Sequence, residues 1–287
     1  MSFALRYAPH LGFRGFDTPL FAHAAPSRDP VDQIDFAAAQ GFAGIQDPWF
    51  SCRPEADKLR IASRIAASGL ATGTLCIGGL PDLRRPIWFP QTPAEEDALA
   101  QACDLAFADA ARIGARDLAI VPAGTTTLGQ EEAEEAFGAR LSAFGDRAAA
   151  SGLALNVEVV DPTAIPGQLF TSFAQAARAI RQIGHPAVRL IYDTGHLIAT
   201  DGDLLTPLTR DADIIGPVQI AGQPGRCEPE ADARIRPVLD ALAARRFEGL
   251  VELEHLWANP TAASEEAGIE WLHAINTDLK QAKRTGS

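Results

Sequence analysis

The sequence predicts one domain, residues 1–287, folded as a single (β/α)8 TIM barrel of the α/β class. Short apolar segments alternate eight times with longer amphipathic segments, which is the pattern of repeated βαβ units and a parallel sheet. The chain of 287 residues suits such a barrel, which typically needs about 250 residues, and no Gly/Ser linker divides it. An open doubly wound sheet is the alternative, but residues 9–16, where its phosphate-binding loop would lie, contain no GxGxxG motif.

Each predicted strand is a short apolar run, and a helix is expected after it. The strands are predicted at residues 5–11, 43–46, 71–76, 117–121, 154–159, 189–193, 214–220 and 250–254. The helices are predicted at residues 29–40, 54–68, 92–113, 130–151, 170–183, 201–210, 229–246 and 261–282. The first and third helices begin with a capping residue followed by proline, and glycines such as Gly41 and Gly114 follow helices as C-caps. Two long irregular segments, 12–28 and 77–91, are expected to lie over the carboxyl ends of the strands.

The charge and the cysteines limit the classes of partner and compartment. The net charge of −12 and the pI near 4.9 argue against a nucleic acid or an anionic membrane as partner, because both require basic faces. The N-terminus lacks a signal peptide's apolar core, and no apolar stretch is long enough to span a bilayer, so we expect a cytoplasmic protein. The four cysteines have no CxxC spacing and are expected to be reduced thiols. The sequence leaves homo-oligomer formation open.

Four polar residues end four of the later strands, namely Glu158, Asp193, Gln219 and Glu254. Polar groups at the carboxyl ends of parallel barrel strands indicate a functional site. Three carboxylates that converge with an amide oxygen would repel each other unless a cation lay between them. Such oxygen ligands favour Mg²⁺ or Mn²⁺, with Zn²⁺ or Co²⁺ as alternatives. Glu252 lies two residues before Glu254 on the same strand face, and we assign the ligand to Glu254 because it is nearer the carboxyl end.

Two further residues near these strand ends are candidate substrate contacts. His196 follows Asp193 by three residues in the segment Asp-Thr-Gly-His, although Asp-Thr-Gly also occurs as an ordinary turn. Pro224 and Gly225 predict a turn that brings Arg226 back over the strand end. A guanidinium in that place can bind a substrate carboxylate or carbonyl through its planar fork, and the alternative is a surface arginine.

The chain resembles the xylose isomerase-like TIM-barrel superfamily of sugar isomerases and epimerases, most closely its hydroxypyruvate isomerase branch. The similarity is clearest from about residue 153 to residue 255. It rests on the segments Val157-Glu158, Tyr192 to His196, Val218 to Pro229 and Gly249 to Glu254. The resemblance implies that one divalent metal binds to four side chains and that Glu158 and Glu254 also form the acid/base pair. The implied metal ligands are Glu158, Asp193, Gln219 and Glu254, and the implied substrate contacts are His196 and Arg226.

The sequence departs from that branch where the substrate is expected to bind. Ala221-Gly222 stands where the branch usually has Ala-Asp, and Gln46-Asp47 ends the second strand where a glutamate is common. We therefore expect the metal ligands to be retained and the substrate contacts to be altered.

The predicted function is a metal-dependent isomerase that converts a small α-hydroxycarbonyl compound, hydroxypyruvate-like or sugar-like, through an enediolate. The alternative is a ketose 3-epimerase or related carbon-acid enzyme acting on a larger sugar derivative. That alternative is motivated by the loop aromatics Phe13, Phe16, Trp49, Phe50, Trp88 and Phe89. A non-catalytic metal- or sugar-binding barrel is a further hypothesis. A DNA-repair nuclease is disfavoured by the acidic charge and the six histidines.

Overall fold

The computed structural model describes residues 3–124 and 128–285, in which parallel strands form a ring surrounded by helices. The predicted TIM barrel is confirmed. Its strands are β1 (Arg6–Pro9), β2 (Gly44–Ile45), β3 (Ala71–Thr72), β4 (Leu75–Cys76), β5 (Asp117–Ile120), β6 (Ala154–Val157), β7 (Val188–Asp193), β8 (Ile215–Ile220) and β9 (Leu250–Leu253).

The strands pair in parallel around the ring. Seven of them form one sheet in the order β1-β9-β8-β7-β6-β5-β4, while β2 and β3 pair with each other. Hydrogen bonds from Ala43 N to Tyr7 O (2.9 Å) and from Gln46 N to Pro9 O (2.9 Å) join β2 to β1. Residues 71–77 bond to β2 at one end and to β5 at the other, which closes the ring.

The third predicted strand, residues 71–76, is divided into β3 and β4. Thr74 lies at the break, and both its N–H and its hydroxyl donate to Oε1 of Glu252, at 2.6 and 2.8 Å. A backbone N–H that donates to a side chain inside the barrel is lost to the strand ladder. The division of the strand therefore positions an acidic side chain.

The helices lie between the strands, as the hydrophobic pattern predicts. They are α1 (Pro30–Gln40), α2 (Glu55–Ser68), α3 (Pro93–Ile113), α4 (Gln130–Ala150), α5 (Phe173–Ile183), α6 (Thr194–Thr200), α7 (Leu205–Arg210), α8 (Ile235–Ala244) and α9 (Ala262–Thr285). The predicted helix at 201–210 is wrong in its extent, because α6 begins directly after β7 and α7 is short. The predicted helix at 229–246 begins late, at Ile235, after one 3-10 turn.

Asp193 couples the end of β7 to the beginning of α6. Its Oδ1 accepts a hydrogen bond from His196 N (2.9 Å), which makes Asp193 the N-cap of the helix. The same residue is a predicted metal ligand, so the cap fixes its carboxylate at the carboxyl end of the barrel.

The long segments 12–28 and 77–91 lie without regular structure except for one 3-10 turn, Leu80–Arg84. Across the described parts of the chain, 3–124 and 128–285, none of the helices combines the length and apolarity needed to cross a bilayer.

Candidate active site

The four predicted metal ligands lie together at the carboxyl end of the barrel. Glu158 follows β6, Asp193 ends β7, Gln219 lies in β8 and Glu254 follows β9. All four are buried, with 2% to 8% of their surface exposed. A cavity of about 510 Å³ opens at this end, and its wall includes the acid/base pair predicted from the sequence and both predicted substrate contacts, which are Glu158, Glu254, His196 and Arg226.

Arg226 is the cation at the centre of this site. Its guanidinium donates to both carboxylate oxygens of Asp193, at 3.1 and 2.7 Å, and to Oε2 of Glu254 at 3.0 Å. Its Nε donates to the backbone oxygen of Glu254 at 3.0 Å, and the guanidinium lies 5.3 Å from the centre of the Phe13 ring. The residue is only 6% exposed, so it is not the surface arginine of the alternative interpretation. In the structure it binds the candidate metal ligands themselves.

A second layer of polar side chains lies below Glu254. The amide nitrogens of Gln46 and Gln219 each donate to Oε1 of Glu254 (2.7 and 2.9 Å) and to Oε2 of Glu252 (2.9 and 3.0 Å). Both glutamates thus point into the barrel, one layer apart, and Glu254 is the one that contacts Arg226. The sequence showed Gln46 only as a departure from the family pattern. Its position at the end of the second strand placed it at the carboxyl end of the barrel but did not show which side chains it would contact.

His196 lies beside Glu158, with its Nε2 3.5 Å from Oε1 of that residue. Its Nδ1 accepts a hydrogen bond from the backbone N–H of Asp161 (3.2 Å). A neutral imidazole that accepts at Nδ1 carries its proton on Nε2. Although Glu158, Asp193 and His196 have potential ligand atoms within 4.8 Å of one another, the Nε2–H suits a hydrogen-bond donor rather than a metal ligand.

Burial and mutual repulsion set the protonation of the carboxyl groups. Burial raises the pKa of Glu158 well above its usual value, and the nearby charges of Glu254 and Asp193 add to this effect. Burial also raises the pKa of Glu254, to about 7, although Arg226 opposes the shift. Burial would raise the pKa of Asp193 too, but Arg226 and His196 outweigh it and the pKa is lowered. Burial lowers the pKa of His196 to about 4, so this residue is neutral at pH 7.

The residues present fit a divalent metal ion. Three carboxyl groups, those of Glu158, Asp193 and Glu254, lie around a single guanidinium, and a bound cation would relieve their mutual repulsion. Oε1 of Gln219 is buried and has no hydrogen-bond partner in the part of the chain that the structure describes. An oxygen acceptor left without a donor beside carboxylates is suited to a cation, and the all-oxygen donor set matches Mg²⁺ or Mn²⁺.

The predicted loop aromatics divide into two groups. Phe13 and Trp49 line the cavity, and the indole N–H of Trp49 donates to the backbone oxygen of Phe13 at 2.7 Å. Phe16 is 39% exposed and packs against the Arg53 guanidinium. The other three belong to the hydrophobic core, which the sequence pattern did not distinguish from a cavity wall: Phe50, Trp88 and Phe89.

A parallel barrel with carboxylates gathered at the carboxyl ends of its strands defines the class of TIM barrels with a polar site at that face. More narrowly, the chain belongs to the family described as xylose isomerase-like TIM barrel, whose model matches residues 34–275. This confirms the resemblance found in the sequence.

The chain is also similar to individual proteins, both in sequence and in structure. The chain is 23% identical over 280 residues to a protein named putative hydroxypyruvate isomerase from Drosophila melanogaster, which covers 96% of this chain and 100% of the relative. A solved structure described as AP endonuclease, family 2, from Brucella melitensis matches with a TM-score of 0.78 and 21% identity, covering 95% and 99% of the two chains. A structure of L-ribulose 3-epimerase matches with a TM-score of 0.71 and 20% identity, covering 98% and 96%. At these identities the solved structures show a shared fold.

Proposed function

We propose that the protein is a divalent-metal-dependent isomerase of a small α-hydroxycarbonyl compound, hydroxypyruvate-like or sugar-like. The observation that carries the proposal is that Glu158 and Glu254 line one cavity and both have raised pKa values. A carboxyl group with a raised pKa is a stronger base than usual, and one near neutrality, as in Glu254, can both remove and return a proton. The name of the Drosophila melanogaster relative supports the same reaction class.

The polar residues of the site have three kinds of task in this proposal, and Glu158 and Glu254 take part in two of them. Glu158, Asp193, Gln219 and Glu254 would hold the metal ion. When bound, a divalent ion polarises a carbonyl group and stabilises the negative charge that develops on its oxygen. The Nε2–H of His196 donates to a substrate oxygen, and Arg226 binds a second one. Glu158 and Glu254 move the proton, and the apolar part of the cavity wall limits the access of water.

A 3-epimerase that acts on a larger sugar derivative is the second candidate. A cavity of about 510 Å³ is much larger than a three-carbon substrate, and Phe13 and Trp49 offer aromatic faces for a sugar ring. Both reactions use the same pair of carboxyl groups. They differ in which carbon receives the returned proton.

Deuterium exchange distinguishes these functions. The protein, loaded with Mn²⁺ or Mg²⁺ in D₂O, is incubated with a panel of ketoses, α-hydroxy aldehydes and hydroxy-oxo acids. An isomerase gives a product labelled on the carbon adjacent to the original C–H, whereas an epimerase gives label on the same carbon with inverted configuration. Glu158→Gln is the matched control and should give no label. Metal binding without exchange on any compound would favour a non-catalytic barrel.

A further inference from the structure

A second cavity, of about 730 Å³, lies at the opposite end of the barrel. Its wall is formed by the beginnings of strands, including Arg6 in β1, Asp117 in β5, Arg189 in β7 and Gly216 in β8. Because all these strands are parallel, their amino ends lie at the same face, remote from the candidate active site. The volume lies in the range of about 300–1,000 Å³ that small-molecule sites occupy.

Two glycines in the wall of this cavity leave room for neighbouring polar side chains. A Cβ atom at Gly216 would lie 2.2 Å from Oδ1 of Asn156, and a Cβ atom at Gly73 would lie 2.6 Å from Oε1 of Glu252. Side chains at these two positions would therefore enter space that other side chains already fill. Both glycines line the cavity.

The wall of this cavity is positively charged, although the whole chain has a net charge of −12. Four arginines contribute to it, against two carboxyl groups, those of Asp117 and Glu252. Both carboxyl groups are already bound by other residues of the protein, because Asp117 accepts from Asn156 at 3.1 Å and Glu252 accepts from Thr74. The four arginines are Arg6, Arg112, Arg116 and Arg189.

Three of the four arginines, Arg6, Arg116 and Arg189, have no carboxylate within salt-bridge distance among residues 3–124 and 128–285. Arg6 donates to the backbone oxygen of Glu248 (2.9 Å) and Arg112 pairs with Glu55 (2.7 Å). Arg116 and Arg189 are exposed. Both lie near enough to Asp117 for their charges to act against the raised pKa of its carboxyl group. Neither forms a salt bridge with it, so both guanidinium groups can bind a ligand at the mouth of the cavity.

The strand order places these two arginines on either side of β6. Arg116 precedes β5, and its backbone oxygen accepts from Ala154 N at the beginning of β6. Arg189 lies in β7 and is in register with Asn156 of β6. Strands two places apart are separated by about 10 Å, which two arginine side chains can span around one anion. Arginine forks match the geometry of phosphate and carboxylate oxygens.

We propose that this cavity at the amino end of the barrel binds a small, doubly charged anion that carries a phosphate ester or two carboxylates, with Arg116 and Arg189 as its principal contacts. The site is independent of the proposed isomerase function. It lies at the other face of the barrel and shares none of its contacts with Glu158, His196 or Arg226.

Calorimetric titration of the full chain with inorganic phosphate and with succinate, at constant ionic strength, tests the proposal. At least one anion should bind saturably at one site, with a Kd of about 1 mM or below, and the preferred anion distinguishes phosphate from dicarboxylate chemistry. The double variant Arg116→Gln/Arg189→Gln should weaken that binding at least about tenfold. Arg178→Gln, on the exposed surface of α5, is the matched control and should leave the Kd unchanged.

A further variant separates the two faces of the barrel. Arg226→Ala should preserve anion binding at the amino end, whereas an anion bound in the candidate active site would be lost. Thermal unfolding of the double variant verifies that it is folded, since both arginines are exposed. Absence of saturable binding by either anion, or equal binding by parent and double variant, would overturn the proposal. Loss of binding in Arg226→Ala would overturn it too.

Discussion

Glu158 and Glu254 are two buried carboxyl groups with different surroundings. Glu254 is hydrogen-bonded by Gln46, Gln219 and Arg226, while the described contact of the Glu158 carboxyl group is with His196. Glu158 is therefore the less stabilised anion and has the stronger tendency to hold a proton. This asymmetry suits a pair in which one group removes a proton and the other returns it.

Replacing either carboxyl group tests that role. We expect Glu158→Gln and Glu254→Gln each to lower kcat by at least about 10², because an amide cannot act as a general base. Turnover is measured at saturating metal, since both residues are also candidate ligands. Glu131→Gln, at an exposed position of α4, is the matched control. Near-normal turnover in either variant would remove that residue from the acid/base pair.

Arg226 should weaken metal binding, because its guanidinium is hydrogen-bonded to Asp193 and Glu254, which are candidate metal ligands. Two positive charges about 4 Å apart repel by several kcal/mol at the effective dielectric constant of a protein site. We expect Arg226→Ala to tighten Mn²⁺ binding at least about tenfold and Arg226→Lys, which retains the charge, to change it less. Titration calorimetry measures both affinities. Unchanged or weaker binding in the alanine variant would contradict this electrostatic account.

The same two variants report on the substrate. If Arg226 binds a substrate carboxylate, Arg226→Lys should lower kcat/KM nearly as much as Arg226→Ala, since lysine lacks the planar two-point fork. If the substrate is a neutral sugar, the lysine variant should be milder. If both variants match the parent on the true substrate, Arg226 is not a substrate contact.

The gathering of the four candidate metal ligands at one end of the barrel was predictable, because they are polar interruptions in apolar strands. Glu158, Asp193, Gln219 and Glu254 each end such a run, and parallel strands bring their ends together. The layer below was not predictable. That Gln46 bonds to Glu252 depends on which barrel layer each side chain enters, and strand stagger sets this rather than local sequence. The bridging by Arg226 likewise depends on the path of a turn after β8.

At the scale of the elements, the predicted order of strands and helices was correct. The errors in their bounds arose where a side chain accepts a hydrogen bond from a backbone N–H group. The strand at 71–76 is divided because Thr74 donates to Glu252, 178 residues away in the chain. Helix α6 begins directly at β7 because Asp193 caps it. The sequence Asp-Thr-Gly-His contains a capping residue, but its apolar periodicity is too short to indicate a helix.

A buried ion pair connects two neighbouring helices. Lys58 in α2 donates to Asp109 in α3 at 2.6 Å, and both residues are less than 5% exposed. We expect Lys58→Met to lower the free energy of unfolding by roughly 3 kcal/mol, because the buried carboxylate loses its hydrogen-bonded partner and keeps only Arg112, 3.9 Å away. Chemical denaturation measures the change.

Two further variants distinguish a lost partner from lost packing. Lys58→Met/Asp109→Leu should recover most of the stability, since apolar residues that replace both partners leave no unpaired charge. Arg64→Met, which breaks the more exposed pair with Asp35, should cost less than about 1 kcal/mol. A double variant as unstable as Lys58→Met would show that the helices require the lysine for another reason.

At the scale of the whole molecule, the two ends of the described chain are held together. Strands β1 and β9 are paired, and Trp257 Nε1 donates to the backbone oxygen of Leu20 at 2.7 Å. The buried carboxylate of Glu265 in α9 accepts from the backbone N–H groups of His23 and Ala24. A ring closed by its first and last strands has no free edge at which one part can unfold alone, so we expect one cooperative unfolding transition.

His10, at the end of β1, makes the stability of this ring depend on pH. It is 2% exposed, its Nδ1 accepts from Gly12 N (3.1 Å) and its Nε2 lies 3.3 Å from the backbone oxygen of His255. This arrangement suits a neutral imidazole, because protonated Nδ1 would face an N–H donor. Burial accordingly lowers the pKa of His10 to about 4, and the charge of Arg226 acts in the same direction.

A histidine with a lowered pKa destabilises the folded state in acid. Between pH values of about 6.5 and 4 the unfolded chain binds more protons than the folded chain, so the free energy of unfolding falls as the pH falls. Near pH 4.5 this amounts to roughly 2–3 kcal/mol from His10, and the contribution is absent above about pH 7. Urea unfolding of the parent and of His10→Gln at these two pH values measures it. We expect the parent to lose roughly 2 kcal/mol more than the variant on acidification; equal losses would show that His10 is protonated without cost in the folded barrel.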